Sequence, residues 1–449
     1  MRATTTRSLL LLLTIVVVAG CSNAPAPTAT IQSPASSPSP IATPVPPTAL
    51  QLGDDQPLVP FAPTPSPTMT DNGVGAMIGD IDQPFDHDHY IYSRGFRWIR
   101  LGGSDSLNWQ FVEKTPGNFT IDTKADAVIT DYAAHGLTIV LNLGIGECDN
   151  VVYGQHLANA EEVRRYGEYV RVMVRHFRDR VRYFELWNEP NGAIAVADYV
   201  AMVRHVVPIV RAEAPDAGIV IPASNERGWL IGVLDSGVAP LVDGISWHPF
   251  YGTPADAPFY QTYPEGVLRD IKTRAEANGF HGVYLAEEMC WRTKEDNLDP
   301  DQPRYSDIVA RKYIVRTIVT HRGLDIVAIP AGTSVGVFST TDANVLLAGA
   351  TPTDLPVKVE TTATHLRQYS FALPDGSHLV ALWSDWLPAD KDPGVATTVT
   401  IGGLAGSSAQ AIDVVDGLSQ QLNTSAFGGA LVIKDLLVKD CPTFLRIGG

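Results

Sequence analysis

The 449-residue sequence is short of several things at once. It has only four cysteines (Cys21, Cys148, Cys290 and Cys441) and no CxxC pair, which excludes a disulfide-built scaffold and a zinc site held by paired thiolates. Basic residues are scarce as well, with 33 Lys and Arg against 49 Asp and Glu. The resulting net charge of −16 argues against a nucleic-acid partner, because neutralising phosphates takes a basic face. The apolar run from Leu9 to Gly20 is well short of the roughly 20 residues that span a bilayer. Neither GxGxxG nor a P-loop follows any candidate strand, so nucleotide-binding folds lose ground. Apolar residues, by contrast, are present in ordinary measure at 45%, with 18% charged, which excludes a chain disordered throughout. The length points to more than one structural unit.

The first residues read as an address. Arg2 and Arg7 precede the short apolar run, and small residues close it, the pattern of a secretory signal over residues 1–20. Val18-Ala19-Gly20-Cys21 resembles the bacterial lipobox, which implies lipidation of Cys21 and an exported protein anchored to the bacterial cell membrane, facing outside the cytoplasm. Residues 21–70 then change composition: thirteen of the 33 prolines fall here among Ser, Thr and Ala. Such a stretch reads as an extended, semi-rigid linker without a core of its own.

From residue 71 to 348 short β-rich runs alternate with helical patterns. The runs are Gly75–Ile78, Phe96–Leu101, Leu137–Leu143, Val181–Trp187, Ile219–Pro222, Gly244–Trp247, Val283–Ala286 and Asp325–Ile329. Val163, Tyr166, Val170, Val174 and Phe177 hold helical spacing, and Ile308, Tyr313, Val315 and Val319 hold it more loosely. Eight such units predict an α/β fold, a (β/α)8 TIM barrel, rather than an open doubly wound sheet. Over residues 349–449 the runs His365–Leu373, His378–Ser384, Ala396–Ile401, Ala411–Val415, Ala430–Ile433 and Thr443–Ile447 are joined by turn residues such as Pro374-Asp375-Gly376 and Asp416-Gly417. This pattern predicts a C-terminal β-sandwich.

Chemistry in such a barrel sits at the C-terminal strand ends. The fourth strand ends Trp187-Asn188-Glu189-Pro190-Asn191, and the seventh ends Ala286-Glu287-Glu288. These strands lie on opposite sides of the barrel, so their terminal carboxylates face each other across its mouth. Two carboxylates about 5 Å apart make a retaining glycosidase pair. The fourth-strand motif resembles the signature of clan A glycoside hydrolases, and Phe96-Arg97-Trp98-Ile99-Arg100-Leu101 with Trp109 and Glu113 looks like the same clan. The likeness is nearest to family 39 and covers residues 73 to 330.

The resemblance implies Glu189 as acid/base and Asn188 as a hydrogen-bond partner of a sugar 2-hydroxyl. It implies Arg100 as the charge that keeps the nucleophile ionised, and His248 as a polar orienting group. Trp247 and Tyr251 would contact substrate. Strand register favours Glu287 as nucleophile, whereas counting back three from Trp291 lands on Glu288, and both stay open. Trp187, Trp247 and Trp291 read equally well as a sugar platform or as core. Asp86-His87-Asp88-His89 invites a metal, but adjacent helical residues point different ways; no metal and no cofactor is expected. Cys148 and Cys290 follow strands on the same barrel face, which leaves a disulfide open although the third and seventh strands lie far apart. The eighth strand lacks the aromatic residue common in the clan, and Ala331 to Leu347 is short for a full last unit. The expected partner is an oligo- or polysaccharide substrate, with the membrane met through the lipid anchor only. The reading is an exported retaining glycosidase. The alternatives are a non-catalytic carbohydrate-binding lipoprotein on a decayed barrel and, third, a cell-surface scaffold.

Overall fold

The computed structural model describes residues 49–53, 56–78, 81, 91–102, 106–145, 157, 159–222, 226–249, 263–289, 291, 293, 305–331 and 340–448. Cys21 and the rest of the signal and lipobox segment lie outside them. So do Asp86-His87-Asp88-His89, Cys148, Cys290 and Tyr251. The described residues belong to one compact body, Pro47–Gly449.

A short strand, β1 (Val59–Pro60), precedes the barrel. The barrel strands follow: β2 (Gly75–Ile78), β3 (Trp98–Leu101), β4 (Thr138–Asn142), β5 (Tyr183–Glu185), β6 (Gly218–Ile221), β7 (Gly244–Trp247), β8 (Val283–Met289) and β9 (Val327–Pro330). They pair in parallel in that order, and bridges from Val74 to Ala328 and from Met77 to Ala331 close β9 onto β2. Strand alternation decides what fills the interior. Trp98, Val140, Tyr183, Val220, Leu285, Val327 and Ile329 point inward as an apolar floor. Two residues further along their strands, Arg100, Asn142, Glu185 and Glu287 form a buried polar layer above it. The outward positions, such as Ile99, Leu141, Phe184, Ile219 and Ile245, join the helices in the main core.

The helix Ala160–Phe177 matches its predicted spacing, burying Tyr166, Tyr169, Val170, Met173, Val174 and Phe177. Asn159 caps its N-terminus, Glu161 and Glu162 stand in the first turn, and Arg175 and His176 in the last, each complementing the helix dipole. The looser pattern belongs to the helix Asp307–Gly323, which buries Lys312, Arg316, Thr317 and Thr320 along with its apolar residues. It is covered on nearly every side because a second domain packs against it, so no polar face is required.

That domain is the expected sandwich. Its strands are β10 (Thr351–Pro352), β11 (Val357–Glu360), β12 (Leu366–Ala372), β13 (His378–Ser384), β14 (Val395–Gly402), β15 (Ala409–Asp413), β16 (Leu418–Gln421), β17 (Ser425–Phe427), β18 (Ala430–Val438) and β19 (Thr443–Ile447). One sheet runs β1-β16-β15-β19-β13-β12-β10 and the other β11-β14-β18-β17. Val380, Leu382, Val399, Ile401, Ile433 and Leu445 fill the space between them. On the opposite face of the larger sheet, Phe371, Leu379, Trp383 and Phe444 join the barrel core. A helix over Thr341–Leu346 connects the barrel to the sandwich.

The linker reading needs correction at its C-terminal end. Leu50 is fully buried in the sandwich core, Gln51 bridges Leu436, and Val59–Pro60 pair with β16. Proline is tolerated there because β1 is an edge strand. Among the described residues no helix is long and apolar enough to cross a membrane.

Candidate active site

Three strands deliver charge to the C-terminal end of the barrel. Arg100 comes from β3 and is fully buried. Its Nε lies 2.8 Å from Glu185 Oε2 and 3.2 Å from Glu287 Oε2, its Nη1 donates to Glu288 Oε1 at 2.6 Å, and its Nη2 donates to Asn188 Oδ1 at 2.7 Å. One guanidinium thus holds residues from β5 and β8 together. Burial alone would lower its pKa, but Glu185, Glu288 and Glu287 raise it above the ordinary arginine value, so its charge is fixed.

Glu185 is anchored from all sides: Asn142 Nδ2 donates to its Oε2 at 2.8 Å and Ser246 Oγ to its Oε1 at 2.9 Å. Burial raises its pKa, yet the charge of Arg100, with Glu287, His248 and Asn142 beside it, outweighs that and leaves it below the usual carboxylate range. Glu287 goes the other way. Burial and then the charge of Glu185 push it well above the usual range.

Above this layer the backbone is strained. Trp187 (φ 76°), Glu189 (φ 45°) and Glu288 (φ 57°) are all left-handed, a conformation that costs non-glycine residues about 1–3 kcal/mol and collects at functional sites. After β5 the chain turns at Trp187, whose carbonyl accepts from Asn142 Nδ2 at 2.7 Å, and Pro190 opens a short 3-10 turn. In β8 the pairing with β9 slips: Glu287 pairs with Ile329 and Met289 with Pro330, leaving Glu288 as the extra residue of a bulge. A bulge re-aims a side chain. Glu287 and Glu288 therefore both serve the interior, one above the other.

His248, just past β7, joins the two sides. Its Nδ1 lies 2.8 Å from Glu189 Oε1 and 3.3 Å from Glu288 Oε2, and its Nε2 lies 3.9 Å from Glu287 Oε2. A carboxylate oxygen of Glu189, one of Glu288 and a ring nitrogen of His248 all fall within 4.8 Å of one another. Such atoms are of the kind that hold a divalent ion, but the positive charge among these carboxylates comes from Arg100. Glu288 is 14% exposed and Glu189 36%, whereas Glu287 is wholly buried. Burial raises the pKa of Glu189, but the hydrogen bond and charge of His248, and then Arg100, more than offset this and hold it below the usual range.

The sequence matches no protein-family model and no curated protein. The fold does have solved counterparts. One is a family 39 glycoside hydrolase from the gut symbiont Bacteroides cellulosilyticus WH2, at 18% identity over 86% of this chain and 83% of that one, with a TM-score of 0.59. Another is the family 51 arabinofuranosidase from Xanthomonas axonopodis pv. citri, at 14% identity over 86% and 97%, TM-score 0.56. A third is a family 30 endoxylanase from Clostridium papyrosolvens C71, at 12% identity over 87% and 99%, TM-score 0.56.

The fold is the one these solved glycoside hydrolases share.

Within the hydrolase fold the residues singled out from sequence separate into groups. Glu189, Asn188, Arg100, His248 and Glu288 come together at the mouth. Glu287, preferred from register, lies beneath them, because the bulge hands the exposed place to Glu288. Trp247 is a correction. It alternates with the inward Ser246 and His248, so its ring enters the core outside the sheet. Trp187 and Trp291 are buried too, the latter stacked on Tyr313 with ring centroids 4.1 Å apart. Glu185, Asn142 and Ser246 were not singled out. The signal was parity: 183 and 185 share a face, as do 98 and 100.

Proposed function

We propose that this protein is a retaining glycoside hydrolase, with Glu189 as acid/base and Glu288 as nucleophile. On this reading it acts on an oligo- or polysaccharide outside the cytoplasm, from a lipid anchor at Cys21. The observation that carries the reading is the approach of Glu189 and Glu288 oxygens to within 4.8 Å at the C-terminal end of the barrel. Retaining pairs stand roughly 5–5.5 Å apart, whereas inverting pairs leave roughly 6.5–9.5 Å for a water.

The chemistry follows from the groups present. Arg100 keeps Glu288 anionic for attack on the anomeric carbon while Glu189 gives a proton to the departing oxygen. A glycosyl ester on Glu288 results. Glu189, now a carboxylate, takes a proton from water as that water attacks the anomeric carbon and releases Glu288. Asn188 has its Oδ1 committed to Arg100, so a contact with a sugar hydroxyl falls to its amide as donor.

Aryl glycosides test the assignment. Glu288→Gln should lower kcat by about 10³-fold or more, because no covalent intermediate forms. Glu189→Gln should still cleave substrates with activated leaving groups, and azide should restore its turnover, since that anion needs no base. If Glu288→Gln keeps wild-type turnover, the nucleophile is misassigned. One observation favours a second reading, a non-catalytic carbohydrate binder: Glu189 is held in the ionised form, the wrong one for an acid. Retention of bound polysaccharide with no turnover of any aryl glycoside, in wild type and both variants alike, would decide for the binder.

A further inference from the structure

Glu287 has no part in the proposed reaction, yet it occupies the most guarded position in the barrel. Arg100 faces it from β3 at 3.2 Å, and Glu185 from β5 stands with it and His248 in a cluster whose polar atoms lie within 4.8 Å of one another. His248 Nε2 is 3.9 Å away past β7, Glu288 follows it on β8, and β9 offers only the apolar Ile329. From β2, Met77 Sδ lies 3.5 Å from Arg100 Nη1. Ser246 already donates to Glu185. One fixed cation therefore meets three carboxyl groups, two of them without exposure. Full ionisation would leave excess negative charge in a dry interior, which carboxyl clusters avoid by keeping a proton.

We propose that Glu287 is a positioning residue that keeps its proton, donates it to Glu185, and so limits the anions that share Arg100 to Glu185 and Glu288. This rests on the reading of Glu288 as nucleophile. The direction of the Glu287 and Glu185 shifts, one up and one down, agrees with the geometry. Loss of that proton would place a third anion on Arg100, beside Glu185 and Glu288, and weaken the hold that keeps Glu288 in line. The cluster is thus a switch for the alkaline side of activity.

Glutamine matches a protonated glutamate in shape and can donate to Glu185, which makes Glu287→Gln the decisive variant. Its kcat/KM at acid pH should stay within about threefold of wild type, and it should keep its rate at alkaline pH where the wild type declines. Glu287→Ala should lose more than about tenfold, so that the conservative variant rescues what truncation destroys. Two readouts need no substrate. Infrared spectra of the wild type at neutral pH should show a protonated-carboxyl band, sensitive to deuterium, that Glu287→Gln lacks. A carboxyl whose folded pKa is raised costs stability as pH climbs from its unfolded value near 4.5 to its folded one, so the melting temperature of Glu287→Gln should gain on wild type over that range. Absence of the band, or a melting difference that does not change with pH, overturns the protonated state whatever the activity. If both appear but Glu287→Gln shows the wild-type alkaline limb, the positioning role fails. Should the wild type cleave no glycoside, the spectra and melting curves still decide the proton, and only the proposed reaction falls.

Discussion

At the scale of single residues, the site depends on which neighbour controls each carboxylate. Glu189 is held ionised chiefly by His248, against the pull of its own burial. General acid catalysis uses only the protonated fraction, so cleavage of substrates with poor leaving groups should decline as pH rises through a pKa below the ordinary 4.5. Removing the histidine leaves burial in place and takes away the opposing hydrogen bond. His248→Ala should therefore move that decline to higher pH, whatever it does to the rate at the optimum. Profiles of kcat/KM against pH for a poor and an activated leaving group are the measurement. A limb that stays put in the variant, or that appears equally with the activated substrate, would remove His248 from this role.

At the scale of elements, alternation and its interruptions explain what sequence could and could not reveal. The eight barrel runs lie where the strands form, because buried parallel strands are β-rich and each is followed by a helix. The site motif on β5 was equally plain. Glu288 was harder, since a period of two cannot register a one-residue bulge, and the spacing to Trp291 alone pointed to it. In the sandwich, β16 was invisible because its buried residues, Ser419 and Gln420, are polar and are stabilised by pairing and hydrogen bonds rather than apolar character. Leu50 was hidden among prolines. Close approach between strands is also legible in glycine: a Cβ on Gly218, which opens β6, would fall 2.3 Å from the Tyr183 ring. That ring stacks on Trp98 in the barrel floor with centroids 5.6 Å apart and has little room to yield. Gly218→Ala should cost about 1–3 kcal/mol through overpacking, read as a lowered denaturation midpoint with an unchanged m-value. An unshifted midpoint would mean that the floor is loosely packed.

At the scale of the whole molecule, barrel and sandwich are welded by buried charge. Arg316, on the helix Asp307–Gly323, donates from Nε to Asp440 O at 2.8 Å and from Nη1 to Trp386 O at 2.7 Å, while Lys312 Nζ lies 2.6 Å from Asp440 Oδ1. Asp385 pairs with both Arg316 and Arg367. With a continuous core beneath these contacts, the two domains should melt in one transition. Arg316→Met should lower stability by about 2–4 kcal/mol by stranding the Asp440 and Trp386 carbonyls, while Asp385 keeps Arg367 and the Trp383 indole. Calorimetry showing two separate transitions in the wild type would refute the weld. The N-terminal strap has a consequence in time rather than in space. Leu50 N donates to Gln420 Oε1 across 370 residues, and Val59–Pro60 wait for β16 as their partner. Contacts between such distant points form late, because the whole intervening loop must close before they contribute. A chain delivered from its first residue onward must therefore carry Leu50 unpartnered until nearly the last strand arrives. A nascent chain halted before Leu418 would present that apolar strap and an unpaired sheet edge to whatever chaperone or protease meets it first.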